Sequence, residues 1–195
     1  MHDTIQQAVE GLALHNTVAR VALILCGGAL IYLVGLAWLV VAGRQWRRVT
    51  LRMAARIIVL GVLVVLGSKV LTHVIVDPRP YIVTHTRPLI PTSHDNGFPS
   101  DHTLLAAALT ASLWWLDRRW LGVFALGTLL VLLGRLGVGA HHTLDVVGSL
   151  AIAAVAALVA RAIPLPATWR RPVLPVQGRV AGVMARPDAR HDPLT

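Results

Sequence analysis

Residues 53–76 read MAARIIVLGVLVVLGSKVLTHVIV, a run in which only Arg56 and Lys69 carry a full charge. An α-helix needs about 20 mostly apolar residues to cross roughly 30 Å of hydrocarbon. The run is long enough to do this. We therefore predict a membrane-spanning helix at this position, and that helix sets the class of the fold.

Similar runs lie on both sides of this segment, at 18–42, 120–138 and 143–163, and a shorter one lies at 102–116. The short run would need tilt or local thinning of the bilayer to cross it. The composition agrees, because 55% of the 195 residues are hydrophobic and only 14% are charged, whereas about a quarter are charged in a soluble domain. We therefore predict an all-α fold, a polytopic membrane bundle of about five transmembrane helices.

The net positive charge of +9 is distributed unevenly along the chain. Arginines concentrate at 44–56, 118–119 and 161–190, which fall on one side if the chain alternates through five spans. Cytoplasmic loops of membrane proteins carry such an excess of lysine and arginine. We therefore place this side and the C-terminus in the cytoplasm, with the N-terminus on the outer side of the membrane. Membrane lipids, and not nucleic acid, are the expected partners.

Both ends of the chain differ from the spans. Residues 3–15 mix polar and apolar side chains, and they form either a short helix in the membrane interface or a frayed terminus. Nothing before the first span has the pattern of a cleaved signal peptide. Residues 164–195 are rich in proline and arginine, so we expect a poorly ordered cytoplasmic tail after a membrane domain at 1–163. The sequence leaves the oligomeric state open.

Three polar clusters lie where predicted spans end or begin: DPRP at 77–80, FPSDHT at 98–103 and GRLGVGAHHTLD at 134–145. Because successive spans alternate in direction, all three clusters emerge on the same, extracytoplasmic face. Ionisable groups at membrane depth are costly and mark functional sites by default. The sequence therefore predicts a polar site at this face, beside the proline-rich segment 77–101, which cannot form one helix.

The residue types in these clusters suit phosphoryl transfer. A phosphoryl group in transfer carries charge on its equatorial oxygens, so catalysis is mainly positioning and positive charge. Arg79 and Arg135 can each present a planar fork of donors to phosphate, although Arg79 could instead be an anchoring arginine. Ser100 begins a predicted helix after Pro99, where it can help to bind an anion or simply cap the helix.

Two histidines supply a candidate nucleophile and a candidate acid. His141 and Asp145 are four positions apart and would share one face of a helix. A carboxylate beside one imidazole nitrogen fixes the tautomer and leaves the other nitrogen free to attack phosphorus. His102 is then available to protonate the departing oxygen. His142, adjacent to His141, is the alternative nucleophile.

These clusters resemble three motifs of the type-2 phosphatidic acid phosphatase superfamily. The third motif corresponds to GRLGVGAHHTLD at 134–145, with the arginine, histidine and aspartate at the family spacing and glycine in place of the leading serine. The second corresponds to PSDH at 99–102, with aspartate in place of glycine, and the first ends in RP at 79–80. The lysine of the first motif corresponds to Lys69, although nine residues separate it from Arg79, more than the family usually has.

The resemblance implies a metal-independent mechanism without a cofactor, in which a phosphohistidine forms on His141. Asp145 would orient His141, and His102 would act as the general acid. The phosphate-binding residues that it implies are Arg79, Ser100, Arg135 and, with its atypical spacing, Lys69.

FPSDHT at 98–103 further resembles the undecaprenyl-diphosphatase branch of the superfamily, which is associated with bacitracin resistance. That resemblance implies hydrolysis of undecaprenyl diphosphate in cell wall biogenesis. The alternatives in the same class are phosphatases of phosphatidylglycerophosphate, phosphatidate or another lipid monophosphate. A transporter is less favoured, because the charges gather near one face. A metal-dependent hydrolase would use His141, His142 and Asp145 as its ligands.

Overall fold

The structure, a computed structural model, describes residues 3–173 and is a bundle of helices. The main helices are α1 (Thr4–His15), α2 (Thr17–Arg48), α3 (Leu51–Val74), α4 (Asp101–Leu116), α5 (Leu121–Gly137) and α6 (Thr143–Ala162). The long connection between α3 and α4 contains a single helical turn at Pro80–Val83. In the described part of the chain, β-type pairing is limited to an isolated bridge between Thr50 and Pro172. The predicted all-α class is therefore confirmed.

Helices α2, α3 and α6 are long and apolar enough to cross a membrane, and so is α5 together with the turn at Arg118–Trp120 that precedes it. Helix α4, with 16 residues, is the short helix expected from the sequence. It packs against α2, α3, α5 and α6, and therefore lies at the centre of the bundle. Many large apolar side chains on the surrounding helices are exposed, which is typical of a surface in contact with membrane lipid. The chain is a polytopic membrane protein.

The predicted ends of the spans differ from the observed helix ends by a few residues. The largest difference is in α2, which was expected to end at 42 and continues to Arg48. It stops where Thr50 begins the next helix, because the Thr50 hydroxyl accepts a hydrogen bond of 3.2 Å from the Met53 N–H and caps α3. Helix α3 ends at Val74, two residues before the predicted end, since Pro78 and Pro80 follow and favour extended backbone before them.

Helices α2 and α5 touch through their backbones beside a π-helical turn at Leu25–Ala29. A Cβ atom added at Gly134 would collide with the backbone of Gly27, and one added at Gly27 would lie 2.7 Å from the Gly134 carbonyl oxygen. Glycine at both positions permits this approach. As a result the Gly27 carbonyl oxygen lies 3.0 Å from Nη1 of Arg135, from which it accepts a hydrogen bond.

The two ends of the described chain are both folded against the bundle. Residues 3–15 form a helix and not a frayed terminus: Asp3 accepts the Gln6 N–H at 3.0 Å as the cap of α1, and α1 packs against α5. The first part of the predicted tail forms a 3-10 turn at Ala167–Arg170. Beyond it, the Val173 N–H donates to the Val49 carbonyl at 3.0 Å. The remainder of the predicted tail, 174–195, lies outside the described residues.

Candidate active site

The three polar clusters meet at one end of the bundle. Nη1 of Arg79 and Nη2 of Arg135 each lie 3.2 Å from Nε2 of His141. Arg79 belongs to the connection after α3, Arg135 to the last turn of α5, and His141 to the short connection between α5 and α6. All three are buried, with exposed fractions of 5%, 5% and 2%. Two guanidinium groups therefore face one imidazole nitrogen inside the protein.

The opposite nitrogen of His141 identifies its tautomer. Nδ1 lies 2.9 Å from the Gly97 carbonyl oxygen and 3.3 Å from Oδ2 of Asp145. A carbonyl oxygen only accepts hydrogen bonds, so Nδ1 carries the proton and Nε2 presents its lone pair to the two arginines. Asp145 was expected to orient the ring. Its oxygen is within reach, but the Gly97 carbonyl, which side-chain motifs could not reveal, makes the shorter contact.

Asp145 also has a local structural role. It is fully buried, and its Oδ2 accepts the His142 N–H at 2.8 Å. An acidic residue three positions into a helix that accepts the N–H of the capping residue completes a capping box. The carboxylate that faces the His141 ring is therefore held in place by the start of its own helix.

The surroundings of His141 keep its ring neutral. Burial lowers the pKa of His141 well below its ordinary value, and the positive charges of Arg135 and Arg79 lower it further. A histidine attacks phosphorus only in its neutral form. The site therefore holds His141 in the form that a nucleophile requires.

The connection between α3 and α4 holds Arg79 in place. Its Nη2 donates to Oδ1 of Asp95 at 2.7 Å and to Oγ of Ser93 at 3.3 Å, and its Nε donates to the Asp95 carbonyl oxygen at 3.2 Å. Nη1 also donates to the Ala140 carbonyl oxygen at 3.2 Å. This set of acceptors shows that Arg79 is not an exposed anchoring arginine. Sequence analysis did not single out Ser93 or Asp95, since neither belongs to a motif.

Ser100 is fully buried at the start of α4. It occupies the capping position, but its hydroxyl accepts a hydrogen bond of 3.2 Å from the Thr103 hydroxyl and caps no backbone N–H. Its own N–H donates to the Asp145 carbonyl oxygen at 3.4 Å, and its carbonyl oxygen accepts from the Ser149 hydroxyl at 3.1 Å. Ser100 therefore ties α4 to α6 beside the His141 loop.

His102 and Lys69 lie at the periphery of this arrangement. His102 is half-buried in the first turn of α4, two residues after Ser100. Lys69 is exposed on α3 and lines, with Asp101, an apolar cavity of about 400 Å³ between α2, α3 and α4. The structure thus places Lys69 outside the buried group around His141, and its contact with phosphate stays a prediction.

His142 has surroundings opposite to those of His141. Its Nδ1 lies 3.5 Å from Oδ2 of Asp3, and its Nε2 lies 3.9 Å from Oδ1 of Asp77. The ring therefore faces carboxylates, and His141 is the better candidate for the nucleophile. Within residues 3–173, no group of three or more histidine, cysteine or acidic side chains is arranged to hold a metal ion. The geometry thus gives no support to a site built from His141, His142 and Asp145 as metal ligands.

Comparison with known proteins places these features in a family context. The PAP2 superfamily matches residues 49–169, a segment that contains every site residue predicted from the sequence. The chain is 28% identical over 158 residues to undecaprenyl-diphosphatase BcrC of Bacillus subtilis (strain 168), covering 80% of each protein. Its fold is similar to the crystal structure of Aquifex aeolicus LpxE, with a TM-score of 0.54 and 19% identity over 81% of this chain and 93% of that one.

Proposed function

The chain belongs to the PAP2 superfamily and is a lipid phosphatase, and from this premise we propose that it hydrolyses undecaprenyl diphosphate to undecaprenyl phosphate and inorganic phosphate. The observation that carries the proposed phosphoryl-transfer chemistry is the convergence of Arg79 and Arg135 on Nε2 of His141, each at 3.2 Å. A nucleophilic nitrogen flanked by two guanidinium groups is suited to a phosphoryl group, whose oxygens need positive charge and whose phosphorus needs a nucleophile in line.

In the first step of the proposed reaction, Nε2 of His141 attacks the terminal phosphorus. The new N–P bond forms as the P–O bond to the leaving group breaks, and His102 donates its proton to the leaving oxygen. Arg79 and Arg135 hold the equatorial oxygens, with Ser100 at the start of α4 beside them. Nε of Arg135 is buried and has no acceptor among the described residues, so an oxygen of the bound phosphate would satisfy it.

The second step removes the phosphoryl group. Water attacks the phosphohistidine, its proton passes to His102, and inorganic phosphate leaves as the N–P bond breaks. While the ring carries the phosphoryl group it is positively charged, and Asp145 and the Gly97 carbonyl oxygen stabilise it through Nδ1. No step of this scheme requires a metal ion or a cofactor.

The assignment of the substrate rests on the similarity to a protein named undecaprenyl-diphosphatase and on the variant second motif. The groups around His141 recognise phosphate oxygens and do not by themselves distinguish a diphosphate from a monophosphate. Phosphatidylglycerophosphate, phosphatidate and other lipid monophosphates are therefore the competing substrates, and the experiment must compare them directly.

The substrate assignment is tested by phosphate release from undecaprenyl diphosphate and from phosphatidylglycerophosphate with the purified protein in detergent. We expect a higher kcat/KM for the diphosphate, activity that persists in EDTA, and no activity above background for His141→Ala. His73→Ala is the matched control, because His73 lies exposed on α3 and should leave the rate unchanged. A preference for the monophosphate would replace the proposed substrate, and full activity of His141→Ala would refute the mechanism.

The proposed orientation places the site at the extracytoplasmic face of a bacterial inner membrane. Residues 1–163 form the membrane domain, and the tail at 164–195 lies in the cytoplasm. The support is the accumulation of arginine at the end of the bundle opposite to the site. A membrane-impermeant thiol reagent should label His94→Cys, introduced with Cys26→Ala, in intact cells of a single-membrane bacterium. Labelling only after the cells are broken would reverse the orientation.

A further inference from the structure

Behind His141, on the side away from the arginines, two acidic side chains lie together. Asp145 is fully buried, and its Oδ1 receives no N–H or hydroxyl donor from any residue that the structure describes. The Asp77 carboxyl group is its neighbour across His142: the His142 N–H donates to Oδ2 of Asp145 at 2.8 Å, and Nε2 of the same histidine lies 3.9 Å from Oδ1 of Asp77. A buried carboxylate oxygen without a donor is costly, and a neighbouring protonated carboxyl group is one of the few groups that could supply that donor.

The backbone of Asp77 is fixed to the segment that orients the nucleophile. Its N–H donates to Oδ1 of Asn96 at 2.8 Å, and its carbonyl oxygen accepts the Gly97 N–H at 2.9 Å. The Gly97 carbonyl oxygen is the one that accepts Nδ1–H of His141. A Cβ atom on Gly97 would lie 2.8 Å from the Asp77 carbonyl oxygen and 3.0 Å from Oδ2 of Asp145. Gly97 therefore fits tightly between the two acidic residues.

We propose that Asp77 is a positioning residue whose neutral carboxyl group donates a hydrogen bond to Oδ1 of Asp145, which leaves Oδ2 of Asp145 for the His141 ring and the His142 amide. The pair then carries a single negative charge. That single charge stabilises the positively charged ring of the phosphorylated histidine. Because Asp77 is neutral, the two carboxyl groups do not repel each other inside the protein. This inference rests on the proposed function, because it assigns Asp77 to the support of the nucleophile.

The charged groups around Asp77 agree with a neutral carboxyl group. They are Asp145 on α6, His142 in the connection before α6 and Asp3 before α1. Burial raises the pKa of Asp77, and the negative charges of Asp145 and Asp3 raise it further, whereas His142 lowers it. The two carboxylates thus raise the pKa of Asp77 by more than His142 lowers it. Nε2 of His142 lies 3.9 Å from Oδ1 of Asp77.

Two substitutions at position 77 test whether the hydrogen-bond donor of this side chain matters: asparagine keeps a donor, and alanine does not. Asp77→Asn has nearly the same shape and keeps a donor at all pH values, so it should retain most of kcat. Asp77→Ala removes the donor, and kcat should fall about 10- to 100-fold, as for other groups that orient a catalytic residue. KM should change little, because the proposal places Asp77 behind His141 and not against the substrate. Asp117→Asn, at the opposite end of the bundle, is the matched control and should behave as the wild type.

Infrared spectroscopy supplies a readout that is independent of activity. At pH 7 the wild type and Asp117→Asn should show the carbonyl stretch of a protonated carboxyl group, and Asp77→Asn should lack it. Equal kcat losses in Asp77→Asn and Asp77→Ala, or no spectral difference between Asp77→Asn and the wild type, would overturn the inference. If the wild type released phosphate from neither lipid, the proposed function would fail. The infrared result would still decide whether the Asp77 carboxyl group carries a proton.

Discussion

The two ends of the bundle use arginine in opposite ways. At the site end, Arg79 and Arg135 are each only 5% exposed, and their donors meet the His141 ring, backbone carbonyl oxygens and a carboxylate. At the other end most of the arginines are exposed, among them Arg44, Arg47, Arg118 and Arg119, whereas Arg52 and Arg56 are partly buried. An exposed arginine is hydrated and needs no specific partner, whereas a buried one must be supplied with acceptors by the fold.

This difference shows that the number of arginines at one end of the bundle and the burial of individual arginines report on separate properties of the protein. The number of arginines at each end predicts the orientation of the chain in the membrane. The acceptors gathered around the two buried ones indicate a site that was built to keep positive charge in a fixed place. Substitutions at the site end should therefore change catalysis, and those at the other end should not.

Among the arginines, the largest effect is expected for Arg135→Ala. Loss of one fixed donor that stabilises charge in the transition state typically lowers kcat about 10²- to 10³-fold. Arg135 is the site arginine whose Nε finds no acceptor among the residues that the structure describes. The measurement is kcat for phosphate release from undecaprenyl diphosphate. Arg119→Ala is the control at the opposite end and should keep the wild-type rate. Similar losses in the two variants would remove the functional distinction between the ends.

A second prediction concerns the acid side of the pH profile. The positive charges of Arg135 and Arg79 help to hold the pKa of His141 below its ordinary value, so the wild type should stay active at pH values where a free imidazole is largely protonated. Activity falls as pH falls through this pKa, because protonation occupies the lone pair of Nε2.

Arg79→Gln tests that cause. Loss of one guanidinium charge should raise the pKa of His141, and the fall in kcat/KM should begin at higher pH than in the wild type. The readout is the pH dependence of the residual activity with one substrate, so that the ionisation of the lipid is common to both profiles. An unchanged acid limb would show that the charge of Arg79 does not contribute to the low pKa of His141.

The fold was largely predictable because the bilayer sets the length of its helices. The thickness of the hydrocarbon layer fixes how many apolar residues a span requires, and the observed helices differ from the predicted spans by only a few residues. Helix α1 was undecided for a physical reason. Its position depends on contacts of Asp3 with Thr143, residues separated by 140 positions, and no local pattern encodes such a contact.

The arrangement of the candidate site was predictable where side chains, and not backbone groups, form it. The spacing of Arg135, His141 and Asp145 placed them together, and the structure brings Arg79 to the same point. The acceptors that sequence analysis missed are mainly backbone carbonyl groups, those of Gly27, Gly97 and Ala140. Every residue has a carbonyl group, so only the fold shows which ones are used. Lys69 was predicted from the resemblance to the first motif, with an atypical spacing to Arg79, and such a resemblance does not fix the contact of a long side chain.

A smaller effect, on stability, is expected for Asp3→Ala. The Asp3 carboxylate caps two helices: it accepts the Gln6 N–H of α1 at 3.0 Å and the Thr143 N–H of α6 at 2.6 Å. Loss of a capping residue costs about 0.5–2 kcal/mol of the free energy of unfolding, and here α1 should also detach more readily from the site end.

Asn16→Ala is the matched control, because the Asn16 side chain caps α2 alone, through the Ala19 N–H at 3.0 Å. Thermal unfolding in detergent should therefore show a larger decrease for Asp3→Ala than for Asn16→Ala, with a moderate loss of kcat in Asp3→Ala only. Equal decreases and equal rates would mean that the contact between Asp3 and Thr143 contributes nothing to the site end.

The smallest effect is expected at the arginine-rich end, for Arg118→Ala. The Arg118 guanidinium lies 4.1 Å from the centre of the Trp114 ring, and its Nε donates to the Trp114 carbonyl oxygen at 3.1 Å. An exposed cation–π contact is weak, so the midpoint of thermal unfolding should fall by about 2 °C, while kcat and KM stay at wild-type values. Arg119→Ala removes a neighbouring charge without this ring contact and should shift the midpoint less. A loss of kcat in Arg118→Ala would contradict the division between the two ends, because an exposed arginine far from His141 would then contribute to catalysis.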